Sequence, residues 1–202
     1  MSKNLELESK TLITPTIYQN IVTTFAKENE FWQSNYYFDD TNSTLKAAKI
    51  SLRIRLYDDH AEQTMKIPTP KKSNFHSSVE LTDALTLSEA ESFLKKVQTG
   101  DNANFNGSIG QYLKQHFPDI NLRLFTYSKT KRCLLNGPQN CELTLDETHY
   151  PDGYFDFELE IENDDAALIQ AVLQKLKHDF NFEKIPEKKH ESKIARASKH
   201  KI

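Results

Sequence analysis

Residues 155–162 read Phe-Asp-Phe-Glu-Leu-Glu-Ile-Glu, apolar and acidic positions in strict alternation. A period of two marks a strand whose two faces meet different surroundings. The same period recurs along the chain. Leu5 and Leu7 alternate with Glu6, Glu8 and Lys10, and Ile50, Leu52, Ile54 and Leu56 alternate with Arg53 and Arg55. The pattern predicts strands over 4–13, 32–40, 48–59, 61–68, 77–85, 121–136, 141–150 and 154–162. Asp58, Asp59 and His60 form a hairpin turn. Helical spacing takes over elsewhere. Thr14 before Pro15 is a helix start, and Ile17, Ile21, Val22 and Phe25 carry that helix to about residue 29. Ser88 or Thr86 caps a second helix in 86–98. A third runs through 108–117, ended by Pro118. A fourth covers 164–180, with Leu168, Val172, Leu173 and Leu176 inward. Hairpin-ordered strands with inserted helices predict an antiparallel α+β fold, one domain over residues 1–202 with a basic tail at 188–202.

The polar faces of these strands carry the chemical information. They hold Glu6, Glu8 and Lys10, then Arg53 and Arg55, Lys66, Glu80 and Arg132. Later come Glu142, Thr144 and Asp146, then Asp156, Glu158, Glu160 and Glu162. A solvated face would be the ordinary outcome for an antiparallel sheet. Two features favour another. Acids cluster on some strands and bases on others, and there are enough strands to close on themselves. A closed sheet packs its apolar face outward against helices and turns its polar face inward. Such an interior, charged with both signs, requires a ligand. Arginine and lysine suit phosphates. Grouped carboxylates suit a hard divalent cation, Mg²⁺ or Mn²⁺. A metal-bound polyphosphate satisfies both walls. Lys129 and Lys131 fall on the face opposite Arg132 and read as solvated.

Composition narrows the rest. With 26 basic and 29 acidic residues the net charge is −3, which argues against a general nucleic-acid binder. No apolar run is long enough to span a membrane and no secretory leader opens the chain, so a cytoplasmic protein is expected. Five glycines and no glycine-rich phosphate loop leave phosphate binding to side chains. Cys133 and Cys141 read as buried free thiols, a disulfide between facing strands being the alternative. The seven histidines lack metal spacing; His76 and His149 read as surface or packing residues.

The stretch Glu-Leu-Glu-Ser-Lys at 6–10 resembles the ExExK signature of the CYTH superfamily, the triphosphate tunnel metalloenzymes. Alone it is a weak signal. Followed in order by SLRIRL, MKIP, VELT, TKR, LDET, FELEIE and SKIAR, it becomes specific, and the resemblance spans residues 4–197. The chain most resembles the small Gram-positive-type bacterial members. The resemblance implies a closed eight-stranded antiparallel β-barrel, the triphosphate tunnel, with helices outside. It implies that Glu6, Glu8, Asp146, Glu158 and Glu160 hold Mg²⁺ or Mn²⁺. Lys10, Arg53, Arg55, Lys66 and Arg132 would grip the triphosphate, and Lys193 of the tail would close on it. Glu80 would support neighbouring bases. Glu160 and Glu162 are an overlapping alternative to the pair Glu158 and Glu160, which is favoured because Glu162 ends its strand. Lys193 is favoured over Arg196 for a tunnel role.

Three functions fit this reading: a metal-dependent triphosphatase, a class IV-type adenylate cyclase, and a polyphosphate- or nucleotide-binding module without catalysis. The aromatic run Trp32, Tyr36, Tyr37 and Phe38 is the candidate adenine platform for the cyclase, although packing is its more common use. Intact acidic positions speak against the non-catalytic module. The expected partner is a small-molecule triphosphate, with no nucleic acid or membrane, and the chain is read as a monomer or homodimer.

Overall fold

The alternating segments become strands because each apolar face finds helices to cover it. The structure, a computed structural model, describes residues 2–69, 76–182 and 191–200. The side chains of residues 2–6 and 76–77 lie outside that description. In chain order the elements are β1 (Ser2–Ile13), α1 (Pro15–Thr24), β2 (Ala26–Asp39), α2 (Thr44–Ala47), β3 (Ser51–Leu56), β4 (Ala61–Pro68) and β5 (His76–Leu85). Then follow α3 (Leu87–Gln98), α4 (Gly107–His116), β6 (Arg123–Asn136), β7 (Glu142–His149), β8 (Phe155–Glu162), α5 (Ala166–Asp179) and α6 (Lys193–Ala197).

All strand pairs are antiparallel, and the ladder β1-β5-β4-β3-β2-β6-β7-β8 returns to β1 as a closed barrel. The closure is staggered. β1 pairs with β5 through Ser2–Glu8 and with β8 through Glu8–Ile13, so each half of the strand makes one seam. The outward faces form two apolar cores. Ile161, Leu159, Leu145 and Leu143 lie with Ile21 of α1 and Leu176 of α5 in one. Leu52, Ile54 and Met65 lie with Leu94 of α3 and Ile109 of α4 in the other. Sheet faces buried this way leave the charged faces no outlet but the lumen.

Local signals set most boundaries. The Thr14 hydroxyl accepts from the Ile17 amide at 3.3 Å with Pro15 in the first turn. Thr86, not Ser88, caps α3: its hydroxyl accepts from the Glu89 amide, and the Glu89 carboxylate accepts from the Thr86 amide. Two expectations fail. α1 stops at Thr24 instead of running to about 29, because the chain turns extended at Phe25 and pairs as β2 from Ala26. The strand expected over 48–59 shortens to Ser51–Leu56, since Ala48 caps the short helix α2 and Lys49 turns with a φ of 59° before the chain extends. Asp39 holds that short helix by accepting from the Leu45 and Lys46 amides at 2.9 and 3.0 Å. Cys133 and Cys141 are buried free thiols. Among the described residues, no helix is long and apolar enough to cross a membrane.

Candidate active site

The inward side chains divide the lumen into two walls of opposite character. On β7 and β8, Asp146, Glu158 and Glu160 are buried, and one carboxylate oxygen from each lies within 4.8 Å of the others. Glu160 also belongs to a second such group with Glu8 and Glu162. The second half of β1 creates it, setting Glu8 against Glu162 and Lys10 against Glu160.

Cations from three elements neutralise this wall. Lys10 Nζ lies 2.8 Å from Glu160 and 2.9 Å from Glu8. The Arg132 fork donates to both oxygens of Asp146, at 2.9 and 2.7 Å, and to Glu160 at 3.1 Å. Lys193, from α6, contacts Asp146 and lies 2.6 Å from both Glu158 and Glu160. Burial alone would lower the Lys10 and Lys193 pKa values, but the facing carboxylates outweigh it and raise both. Burial likewise opposes ionisation of Glu160 and Asp146. Lys10, Lys193 and Arg132 hold Glu160 well below the usual range, and Arg132 and Lys193 lower Asp146. Glu162 differs: burial, then the charges of Glu160 and Glu8, push its carboxyl up to about 7.

The opposite wall is basic. In a closed order of eight strands β3 stands four places from β8, and β4 four from β7, so these walls face each other. Arg55 donates through Nε to Asn35 at 2.9 Å and through Nη1 to the Tyr57 hydroxyl and Glu62, at 3.0 and 3.1 Å. Lys66 lies 3.1 Å from Glu80, and Arg53 reaches the same carboxylate oxygen only at 4.0 Å. Burial and then neighbouring Arg55 lower the pKa of Arg53, whose Nε is buried without a hydrogen-bond partner. A crowded guanidinium pair with an unused buried donor suits an anion.

The donor set on the acidic wall fits a hard divalent cation. It is all carboxylate oxygen, and Glu158 Oε2 is buried with no hydrogen bond, although Lys193 approaches it. Ten expected site residues thus come together: Glu8, Lys10, Asp146, Glu158, Glu160, Arg132 and Lys193 on one side, with Arg53, Arg55 and Lys66 opposite. Glu80 lies between Lys66 and Arg53, at 3.1 and 4.0 Å. The side chain of Glu6 falls outside the described residues; its backbone is in register with Ser78 of β5.

Several expectations need correction. Glu162 is half-buried, not exposed at a strand end, because β1 covers it. Glu160 belongs to both acidic groups, one with Glu158 and Asp146 and one with Glu162 and Glu8. Arg196, ranked behind Lys193 for a tunnel role, is also buried there: it is 6% exposed and bonded to Glu158 at 2.8 Å. The aromatic run splits by alternation. Trp32 lies outside beside Lys129 and His149, Phe38 packs under α3, and Tyr37 is buried near Tyr150 and Ala197. Lys131 pairs outside with Glu30 at 3.4 Å. His149 lies outside with Glu147, while the side chain of His76 is outside the described residues.

The CYTH domain family matches residues 4–198. This chain belongs to the CYTH family. The match runs from β1 through α6, so both CYTH lumen walls lie within it. Among solved structures, a candidate adenylate cyclase from Bacillus halodurans is similar at 24% identity and TM-score 0.79, covering 97% of this chain and 98% of that one. A candidate adenylyl cyclase from Hippeastrum, described as having dominant triphosphatase activity, is 21% identical with TM-score 0.75, over 98% and 96% of the two chains. The PH1819 protein of Pyrococcus horikoshii shares the fold at 16% identity and TM-score 0.54, over 88% and 89%. No curated protein matches the sequence.

Proposed function

We propose that this CYTH protein is a metal-dependent triphosphatase acting on inorganic triphosphate or a small organic triphosphate. The observation that carries the reading is the pair of facing walls. Buried carboxylates at Asp146, Glu158 and Glu160 stand opposite a crowded Arg53 and Arg55 with an unused donor. A lumen with these walls matches an elongated polyanion whose charge is shared between guanidinium groups and a divalent cation.

Arg53, Arg55 and Lys66 bind the phosphate chain and orient it along the barrel. Arg132, Lys10 and Lys193 now rest on carboxylates. Asp146, Glu158 and Glu160 would hold Mg²⁺ or Mn²⁺, with Glu8 and Glu162 near by, and Lys10, Arg132 and Lys193 would then be available to phosphate oxygens. The divalent ion supplies Lewis-acid neutralisation of phosphate charge. Phosphoryl transfer asks mainly for positioning and charge stabilisation, so no nucleophilic side chain is required. α6 closes over the bound substrate. Glu6 remains an expected metal ligand by its place in the ExExK stretch.

The cyclase alternative keeps little of its adenine platform: Trp32 and Tyr36 face outward with Lys129 and Tyr127, and Phe38 packs on α3, so that Tyr37, paired across the ladder with Arg53, is the one member left on the inner face. The test is product analysis with Mg²⁺ or Mn²⁺ and, separately, inorganic triphosphate, thiamine triphosphate and ATP. Phosphate release without cyclic AMP is the expected result. Cyclic AMP with pyrophosphate would make the protein a cyclase, and binding without turnover would make it a non-catalytic module.

A further inference from the structure

α6 presents Lys193 and Arg196 three residues apart, on one face of a short helix capped by the Ser192 hydroxyl. The two side chains meet the same carboxylate from different sides. Arg196 Nη1 donates to Glu158 Oε1 at 2.8 Å and to the Glu191 carbonyl at 2.8 Å. Its Nε lies 2.8 Å from Asp156 and donates to the Tyr150 hydroxyl at 3.3 Å. That hydroxyl donates to Asp156 at 2.8 Å. Arg196, Glu158, Asp156 and Tyr150 are all at least nine-tenths buried. The network therefore fixes Oε1 of Glu158, while Oε2 meets Lys193 Nζ, which also contacts Asp146 and Glu160. That ion pair, at 2.6 Å, is what a cation on Oε2 would displace.

We infer that Arg196 is a positioning residue for a divalent cation: it fixes the Glu158 carboxylate so that Oε2 completes the Asp146, Glu158 and Glu160 group. The inference rests on the metal-binding part of the proposed function. A carboxylate with both oxygens free can rotate. One oxygen clamped by a buried guanidinium leaves the other a single direction, and such outer partners govern metal affinity. Because Arg196 is carried by α6, the cation site is complete only with this helix docked. The two residues of α6 then act in opposite senses, Arg196 building the site and Lys193 competing for it.

The test measures Mn²⁺ binding by calorimetry and electron paramagnetic resonance, on full-length protein without substrate. Arg196→Gln is expected to weaken binding by about 10–100-fold, the usual effect of losing an outer partner of a ligand. Arg196→Lys recovers part of the loss, and Lys193→Met tightens binding. Tyr150→Phe, which keeps volume and removes only the hydroxyl, gives a smaller loss and serves should Arg196→Gln fail to fold by circular dichroism. Wild-type affinity in folded Arg196→Gln, or in Tyr150→Phe where Arg196→Gln does not fold, overturns the positioning role while leaving the metal reading intact. Absence of Mn²⁺ binding by the wild type overturns both.

Discussion

The two walls of the lumen hold their charges differently. On the acidic wall nearly every carboxylate has a cation in contact: Glu160 meets Lys10, Arg132 and Lys193, and Asp146 meets Arg132 and Lys193. On the basic wall Arg53 is crowded by Arg55, touches Glu80 only at 4.0 Å and keeps a buried donor unused. Buried charge is tolerated when paired and costly when not. The acidic wall is thus a self-neutralised network that an incoming cation must enter by competition. The basic wall stands ready for an anion. Under the proposed function, a metal with its polyphosphate would relieve the basic wall and release cations from the acidic one together.

The largest break in this comparison comes at Glu160, the residue common to both acidic groups. Glu160→Gln removes the charge that holds three cations, and triphosphate hydrolysis is expected to fall by at least ~10²-fold. Phosphate release at saturating metal checks it; unchanged turnover would remove Glu160 from the site. Next is the basic wall. Arg55→Ala is expected to weaken triphosphate binding by roughly 10–100-fold, the worth of one or two charge-assisted hydrogen bonds, and monophosphate binding much less. Calorimetry with both ligands makes that comparison.

The smallest effect sharpens the picture through pH. Glu162 titrates near 7 in the folded protein, above its usual value of 4.5. The folded state therefore binds more protons than the unfolded state between these values. Its contribution is most favourable below the lower one and is lost as pH rises through about 7. In metal-free protein, Glu162→Gln is expected to raise Tm by a few degrees (~3–6 °C) at pH 8 and to leave it nearly unchanged at pH 4.5. Calorimetric melting at both values is the check. A gain of equal size at both would mean that Glu162 acts through packing instead of charge.

Legibility followed locality. β4 was readable to the residue, because Ala61–Pro68 is bounded by a hairpin turn and a proline. The first half of β2 was not. Residues 26–30 are exposed and polar, without alternation, and are extended because they pair with residues 133–136 of β6, more than a hundred positions away. Arg196 was masked by its setting, a run of lysines and histidines that ordinarily stays in water. Only burial beneath α6 beside Glu158 makes it part of the lumen. Its sequence signal was the SKIAR stretch, which names Arg196 beside Lys193 without saying which carboxylate either would meet.

By itself the sequence determined which faces are charged and which apolar. It also determined the identities of the lumen residues and, through the ExExK stretch with its ordered companions, the family. Period-two patterning is local chemistry that survives any arrangement of the strands. The tertiary structure alone decided which charges meet. The staggered closure of β1 sets Glu8 against Glu162 and Lys10 against Glu160. The docking of α6 brings Lys193 and Arg196 onto Glu158. Those pairings depend on register and closure between strands far apart in the chain. A one-residue slip would turn the same side chains to the other face, so no window of sequence contains them.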